Sequence, residues 1–134
     1  YLKKGFIKKL PREYFIRNKN LICHGDSIPN ADLKGIKRII IGHLHPAITI
    51  SENKKQESFK CFLKGQFHGK ELIIMPSFSR ETKGKNVLGP WDKKQMSPFV
   101  PSKESLNAFE VYVLDDMGKI IFFNTIKEII SALT

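Results

Sequence analysis

The residues best suited to chemistry in this chain are its histidines. There are four, and three of them follow short apolar runs. His24 follows Leu21-Ile22-Cys23, and His43 and His45 follow Ile39-Ile40-Ile41-Gly42. Neutral imidazole is a ligand for borderline metals such as Zn, Mn and Fe. His43 and His45 are two positions apart, a spacing that sends both rings to the same side in extended backbone. Gly42 removes a side chain beside them and leaves room for an ion or ligand against the backbone, and Gly25 does the same beside His24. Pro46 fixes the chain immediately after the pair. A lone His-x-His is a weak signal. Each residue also has a plainer reading, a strand-ending turn for Gly42-His43 and a capped core position for His24. The joint pattern favours a metal role, because two apolar runs end in histidine and glycine, with His24 and His43 19 residues apart, room for one crossover.

Imidazoles from two such places meet only if neighbouring strands end at one level. Residues 21–23 are fully apolar and read as a central strand, and residues 37–41 as a second buried one. Asn30 is placed to cap a short helix over residues 31–35. Strand, crossover and strand make an α/β arrangement with its chemistry at the C-terminal ends. Residues 14–16 read as a preceding strand and 17–20 as a turn. Residues 51–58 are polar and aperiodic and read as a loop. Residues 59–67 and 72–75 form a hairpin with His68-Gly69-Lys70 at its tip, which makes His68 an exposed turn residue. Residues 80–105 hold Gly84, Gly89, Pro90, Pro98 and Pro101 and are long for a structureless connection, so they are either a functional loop or poorly ordered. Residues 109–114 alternate, Asp115-Asp116-Met117-Gly118 turns, and residues 119–123 return. Thr125 and Glu128 make a capping box. Ile126, Ile129, Ile130 and Leu133 then form one stripe of an amphipathic helix.

A length of 134 residues suits a single domain. Hydrophobic residues are 41% and charged residues 27%, the profile of a folded chain and not of a disordered tail. No apolar run approaches the ~18 residues of a membrane span, so no membrane partner is expected. Tyr1-Leu2-Lys3-Lys4 leads into further charge and not into the apolar core of a signal peptide. The first residue is not Met, which fits a piece of something longer. Cys23 and Cys61 read as reduced thiols filling core space, in a cytoplasmic setting. The net charge of +10 and pI of about 9.7 favour phosphate-bearing partners through long-range attraction and counterion release. A Lys- and Ile-rich compositional bias produces the same surplus with no such partner. Arg80, Lys83 and Lys85, with Phe78 and Trp91, put basic and aromatic residues on one stretch suited to nucleic acid. The alternative is a solvated loop with one anchoring Trp. Asp26 either accepts from a metal-bound imidazole or caps the loop that follows. Ser77 and Ser79 have no base placed for nucleophilic work.

Cys23-His24-Gly25-Asp26, followed by Ile39-Ile40-Ile41-Gly42-His43-Leu44-His45-Pro46, resembles the last two metal motifs of the calcineurin-like metallophosphoesterases. Cys61-Phe62-Leu63-Lys64-Gly65 and Ile73-Ile74-Met75-Pro76-Ser77-Phe78 resemble the archaeal branch related to SbcD-type repair nucleases. The likeness runs from about Tyr14 to Phe123. The resemblance implies a mixed α/β (α+β) fold, mostly strands with few helices, equivalent to the C-terminal half of a four-layer αββα sandwich. It implies a two-metal centre that activates water and clamps phosphate in an in-line displacement. His24 and His43 would hold one metal and His45 the other, the metal being Mn foremost, with Zn, Fe or Ni as alternatives. Family members carry an earlier Asp-x-His, a Gly-Asp-x-x-Asp and a Gly-Asn-His-Asp or Glu. None of these occurs in the 23 residues before His24. The bridging carboxylate, an Asn ligand and the catalytic His would therefore lie in a missing N-terminal half. Without a shared anion, three histidines should hold at most one cation well.

Three expectations follow. The first is the C-terminal portion of a metal-dependent phosphoesterase, with a phosphate-ester substrate that includes nucleic acid or nucleotide, inactive until its other half is supplied. The second is a basic nucleic-acid-binding fragment without catalysis. The third is a remnant whose exposed sheet surface invites homo-oligomers or aggregation.

Overall fold

The computed structural model describes residues 14–134, and the reading of Tyr1-Leu2-Lys3-Lys4 lies outside that range. Among the described residues are nine strands: β1 (Tyr14–Arg17), β2 (Asn20–Cys23), β3 (Arg38–Ile41), β4 (Pro46–Glu52), β5 (Lys55–Phe67), β6 (Lys70–Ile74), β7 (Lys85–Asn86), β8 (Glu110–Leu114) and β9 (Ile120–Thr125). Two short helices, α1 (Lys103–Asn107) and α2 (Ile126–Leu133), complete a mixed α+β chain that is mostly strand.

β1 and β2 form a hairpin about Asn18 and Lys19, whose φ values of 52° and 65° suit the tight turn that matches strand twist. β2, β3 and β6 are parallel, with Cys23 beside Ile41 and Ile41 beside Ile74. β5 then runs antiparallel to β6 on one side and to β8 on the other, and β9 closes the row against β8. The long β5 also pairs through its first half with β4, which carries β7 in parallel on its other edge.

Alternation along these strands divides the sheet into two faces. Leu21, Ile39, Ile41, Leu63, Leu72, Ile74, Val111 and Val113 are buried on one face. They pack with Ile36, Phe99, Val100, Leu106, Phe109 and Ile126 from the connections and helices. Phe15, Ile22, Phe122 and Ile120 occupy the other face, at 37%, 39%, 53% and 57% exposure. The pairing register joins Phe15 to Ile22, Ile40 and Ile73, and Phe62 to Tyr112 and Phe122. One side of the sheet therefore has a core, and the other is an open apolar surface crossed by Arg38, Lys64 and Glu71. The Arg38 guanidinium, hydrogen-bonded to Glu71, holds that carboxyl below its ordinary range.

Three readings of local structure are corrected. Residues 51–58 are not a loop. They are the paired arms of β4 and β5, turning at Asn53 and Lys54 with φ of 50° and 65°. The arms project past the core with both faces wet, so no apolar alternation marks them. No helix forms over residues 31–35. The Asp32 carboxylate accepts from the Lys34 N–H at 2.9 Å, a local bond that competes with helix formation. Lys70 Nζ donates to the Leu33 and Ile36 carbonyls at 2.9 and 2.7 Å, which fixes the segment as a turn. The crossover between the parallel strands β2 and β3 is thus irregular chain. Residues 80–105 are not structureless either. They hold β7, a 3-10 turn at Lys93–Gln95 capped by Asp92, and α1 capped by Ser102, and they bury Val87, Phe99 and Val100.

The last third follows the sequence pattern with one change. Thr125 Oγ1 accepts from the Glu128 N–H at 3.2 Å, the first half of the capping box. The Glu128 carboxylate takes the Thr125 hydroxyl instead of the Thr125 N–H, which donates to Asn124 Oδ1 at 2.9 Å. Ile126 is buried, whereas Leu133 at the far end of the stripe is 62% exposed.

Cys61 sits inside the sheet core, and burial pushes its thiol up to about 12. A raised acid pKa stabilises the fold below the ordinary thiol range and loses that contribution as pH climbs through it. Native protein should therefore resist alkylation at Cys61 near pH 8.5 and react on unfolding. The stability difference between wild type and Cys61→Ala should shrink at higher pH. Full alkylation of the native chain, read by mass spectrometry, would contradict this.

Candidate metal and phosphate site

His24 lies just beyond β2, and His43 and His45 lie just beyond β3. Because β2 and β3 are parallel and in register to Cys23 and Ile41, they end at the same level. The Gly42 N–H donates to the His24 carbonyl at 3.0 Å, and the Met75 N–H to the Ile41 carbonyl at 2.8 Å. The backbone thus ties the three strand ends together. His24 Nε2 and His43 Nδ1 stand 3.2 Å apart, with ring centroids 5.1 Å apart and planes at 78°.

That separation is hydrogen-bonding distance. It also fits two imidazoles on one ion, since two bonds of ~2.0–2.1 Å at a tetrahedral angle place the nitrogens ~3.3–3.4 Å apart. The donor set suits a borderline divalent cation. It is a pair, however. Among the described residues no three His, Cys, Asp or Glu side chains form a group that could hold a metal.

The expectation of an extended His-x-His is corrected. His43 and His45 have φ of 66° and 50°, in the left-handed region, with buried Leu44 between them. Non-glycine residues held there cost of order 1–3 kcal/mol each, a strain that clusters at functional sites. His43 contacts His24, and both His43 and His45 line a cavity of about 430 Å³.

Gly25 also differs from expectation. It leaves no room for a ligand, because a Cβ built on it would meet the Ile41 Cβ at 2.9 Å. At φ 104° it is a core contact beneath His24. Gly42 is open, with only the His24 carbonyl within 4 Å of such a Cβ. Asp26 is exposed, and its charge adds to burial in raising the Cys23 thiol. The hydrogen bonds of the described residues give its carboxylate neither an imidazole nor a loop N–H.

The cavity's other wall comes from the long connection. The Lys85 N–H donates to the His45 carbonyl at 2.7 Å, and the Val87 N–H to Ala47 at 2.9 Å. Asn86 Oδ1 accepts from the Thr49 and Leu88 N–H groups at 3.1 and 3.2 Å. The Trp91 indole N–H donates to the Asn86 carbonyl at 2.8 Å. Trp91 is therefore an anchor, while Phe78 is 71% exposed. Ser77 and Ser79 accept from the backbone N–H groups of Ser79 and Glu81, which makes them loop structure. Lys94 and Gln95, which line the cavity, were not legible as site residues, since nothing in a polar loop marks which members fold back.

Ser97 was missed as well. It is buried, donates to the Gly25 carbonyl at 2.5 Å and accepts from the Phe99 N–H at 3.1 Å. It braces the turn under His24 across 72 residues of sequence, a separation no local signal spans. Ser97→Ala should lower stability by about 1–3 kcal/mol, because a buried carbonyl and N–H both lose a partner. Urea unfolding checks this, and a change within ~0.5 kcal/mol, the usual range of a surface substitution, would contradict it.

His68, at φ 48° on the β5–β6 turn, lies at the opposite end of the sheet and meets Phe67 edge to face, with centroids 4.2 Å apart. It borders a cavity of about 900 Å³. No family model, characterised protein or solved structure matches this chain.

Proposed function

We propose that this chain is the C-terminal portion of a divalent-metal phosphoesterase of the calcineurin-like type. The observation that carries the reading is the 3.2 Å approach of His24 Nε2 to His43 Nδ1 at the ends of two parallel strands. The described residues supply no bridging carboxylate, so this chain alone would hold at most one cation well, with His45 left for a second. When bound, such cations supply Lewis acidity toward a phosphoryl oxygen. Mn is the first candidate, with Zn, Fe or Ni as alternatives. His43 and His45 line a cleft, and His24 stands against His43 beside it. The strained backbone aims His43 and His45 without reorganisation at the moment of reaction.

The open sheet face, with Phe15, Ile22, Ile40 and Phe122, is where the second sheet of an αββα sandwich would pack. Left uncovered, it pairs copies of the chain. The complementary half would bring the bridging carboxylate, the Asn ligand and the His that assists the leaving group.

The test is to mix the 134-residue chain with a separately produced segment carrying the Asp-x-His, Gly-Asp-x-x-Asp and Gly-Asn-His motifs. Mn-dependent hydrolysis of an aryl phosphodiester or monoester is expected from the mixture and not from either part. No hydrolysis from a folded, associated mixture would overturn the reading. The surplus of ten positive charges supports a second reading, nucleic-acid binding without cleavage. In that case DNA or RNA affinity would survive both chelator and His43→Ala.

A further inference from the structure

The cavity beside the histidines contains more than imidazole. Lys83, Lys85 and Lys94 line it with His43, His45 and Gln95, and no carboxylate shares the lining. Two separate segments bring the lysines there. Lys85 is held by its N–H on the His45 carbonyl and by the parallel pairing of β7 with β4. Gly84, at φ 87°, lets the chain approach so closely that a Cβ would stand 2.8 Å from the His45 oxygen. Lys94 sits in the 3-10 turn, where Asp92 is occupied as the cap, accepting from the Gln95 N–H at 3.2 Å. Among the described residues the ion pairs are Arg38–Glu71 and Lys64–Glu71, so none of these three lysines is matched by a carboxylate.

Three exposed lysines with no carboxylate partner share the lining of one cleft, and an anion there would offset their mutual repulsion. At about 430 Å³ the cleft is within the ~300–1,000 Å³ range of small-ligand sites. We propose that Lys83, Lys85 and Lys94 form an anion subsite that takes a phosphate next to the one presented to the histidines. The substrate class is then a phosphate ester carrying at least one further phosphate. A nucleic-acid backbone and a small polyphosphate both offer that chemistry. Calling the neighbouring phosphate the reacting one rests on the phosphoesterase reading, whereas the anion subsite itself does not.

The experiment measures binding to the whole chain in chelator by calorimetry, with orthophosphate, tripolyphosphate and an oligonucleotide as probes. Tripolyphosphate is expected to bind about tenfold more tightly than orthophosphate, since it reaches several ammonium groups at once. The triple variant Lys83→Gln/Lys85→Gln/Lys94→Gln should lose that preference. A control variant, Lys55→Gln/Lys119→Gln/Lys127→Gln, removes equal charge elsewhere and should keep it. For a single-stranded oligonucleotide of roughly 12 residues, the triple variant should reduce the slope of log affinity against log salt by about 2. Oligonucleotide binding stronger than tripolyphosphate names the backbone as source, and the reverse names the small polyphosphate. Either result supports the subsite. Equal losses in both variants, or no preference for tripolyphosphate, would overturn it. Because no hydrolysis is read, this outcome is separate from the mixing experiment: intact binding with no reconstituted activity would remove the phosphoesterase reading alone.

Discussion

Gly25→Ala should destabilise the chain by about 2–6 kcal/mol, more than any surface substitution nearby. Two costs combine. An L residue at φ 104° sits outside the allowed regions, at of order 1–3 kcal/mol. The new methyl also stands 2.9 Å from the Ile41 Cβ, an overpacking that adds ~1–3 kcal/mol. The clash is with a Cβ, which no rotamer change can move aside. Ile41 is 1% exposed and flanked by Cys23 and Ile74, so the strand cannot retreat. At a mid-range urea m-value of ~2 kcal/mol/M, the midpoint should fall by about 1–3 M at unchanged slope. A midpoint within experimental error of wild type would show that the turn is not packed as described. Because the same turn carries His24, the variant should also weaken any cation held with His43.

That cation gives the second large effect. Titrated with Mn or Zn, the chain should take up one ion. His24→Ala and His43→Ala should each lower the affinity by about tenfold or more, as loss of one of two ligands requires. The double variant should lose little beyond either single one, because a ligand pair acts as a unit and its effects are not additive. His45→Ala should change the affinity by less than about threefold, since His45 stands outside the His24–His43 pair and independent sites couple by no more than a few tenths of a kcal/mol. Calorimetry, or the electron spin resonance of free Mn, reads all four variants. Full additivity of the two singles would mean that the imidazoles bind separately. A loss at His45 as large as at His43 would mean that all three share one ion.

Much of the positioning frame is legible in the sequence, because burial on one face writes itself into the chain. Leu21, Ile39 and Ile41 mark two parallel strands, and their ends predict where His24 and His43 stand, whereas the parallel seating of β6 beside β3 left no mark in the pattern. The 59–75 hairpin and the 109–123 return were legible for the same reason. The β4–β5 arm was not, since strands wet on both faces carry no alternation, and only Asn53-Lys54 hinted at its turn. The missing helix at 31–35 was decided by Lys70, distant in sequence, capturing two carbonyls. The left-handed backbone of His43 and His45 had no local signature either. Histidine tolerates that region better than most residues, but the sequence pattern fits an extended pair equally well. The basic loop gave up its composition and not its fold, so Lys83 and Lys85 were noticed while Lys94 and Ser97 were not.

Trp91 is the chain's one tryptophan, and its indole is hydrogen-bonded to the strand that flanks His45. Its emission is therefore an intrinsic optical gauge of whether that wall is seated. A red shift without global unfolding would signal the connection lifting away, and quenching or a blue shift on adding an anion would follow ligand arrival in real time with no label attached.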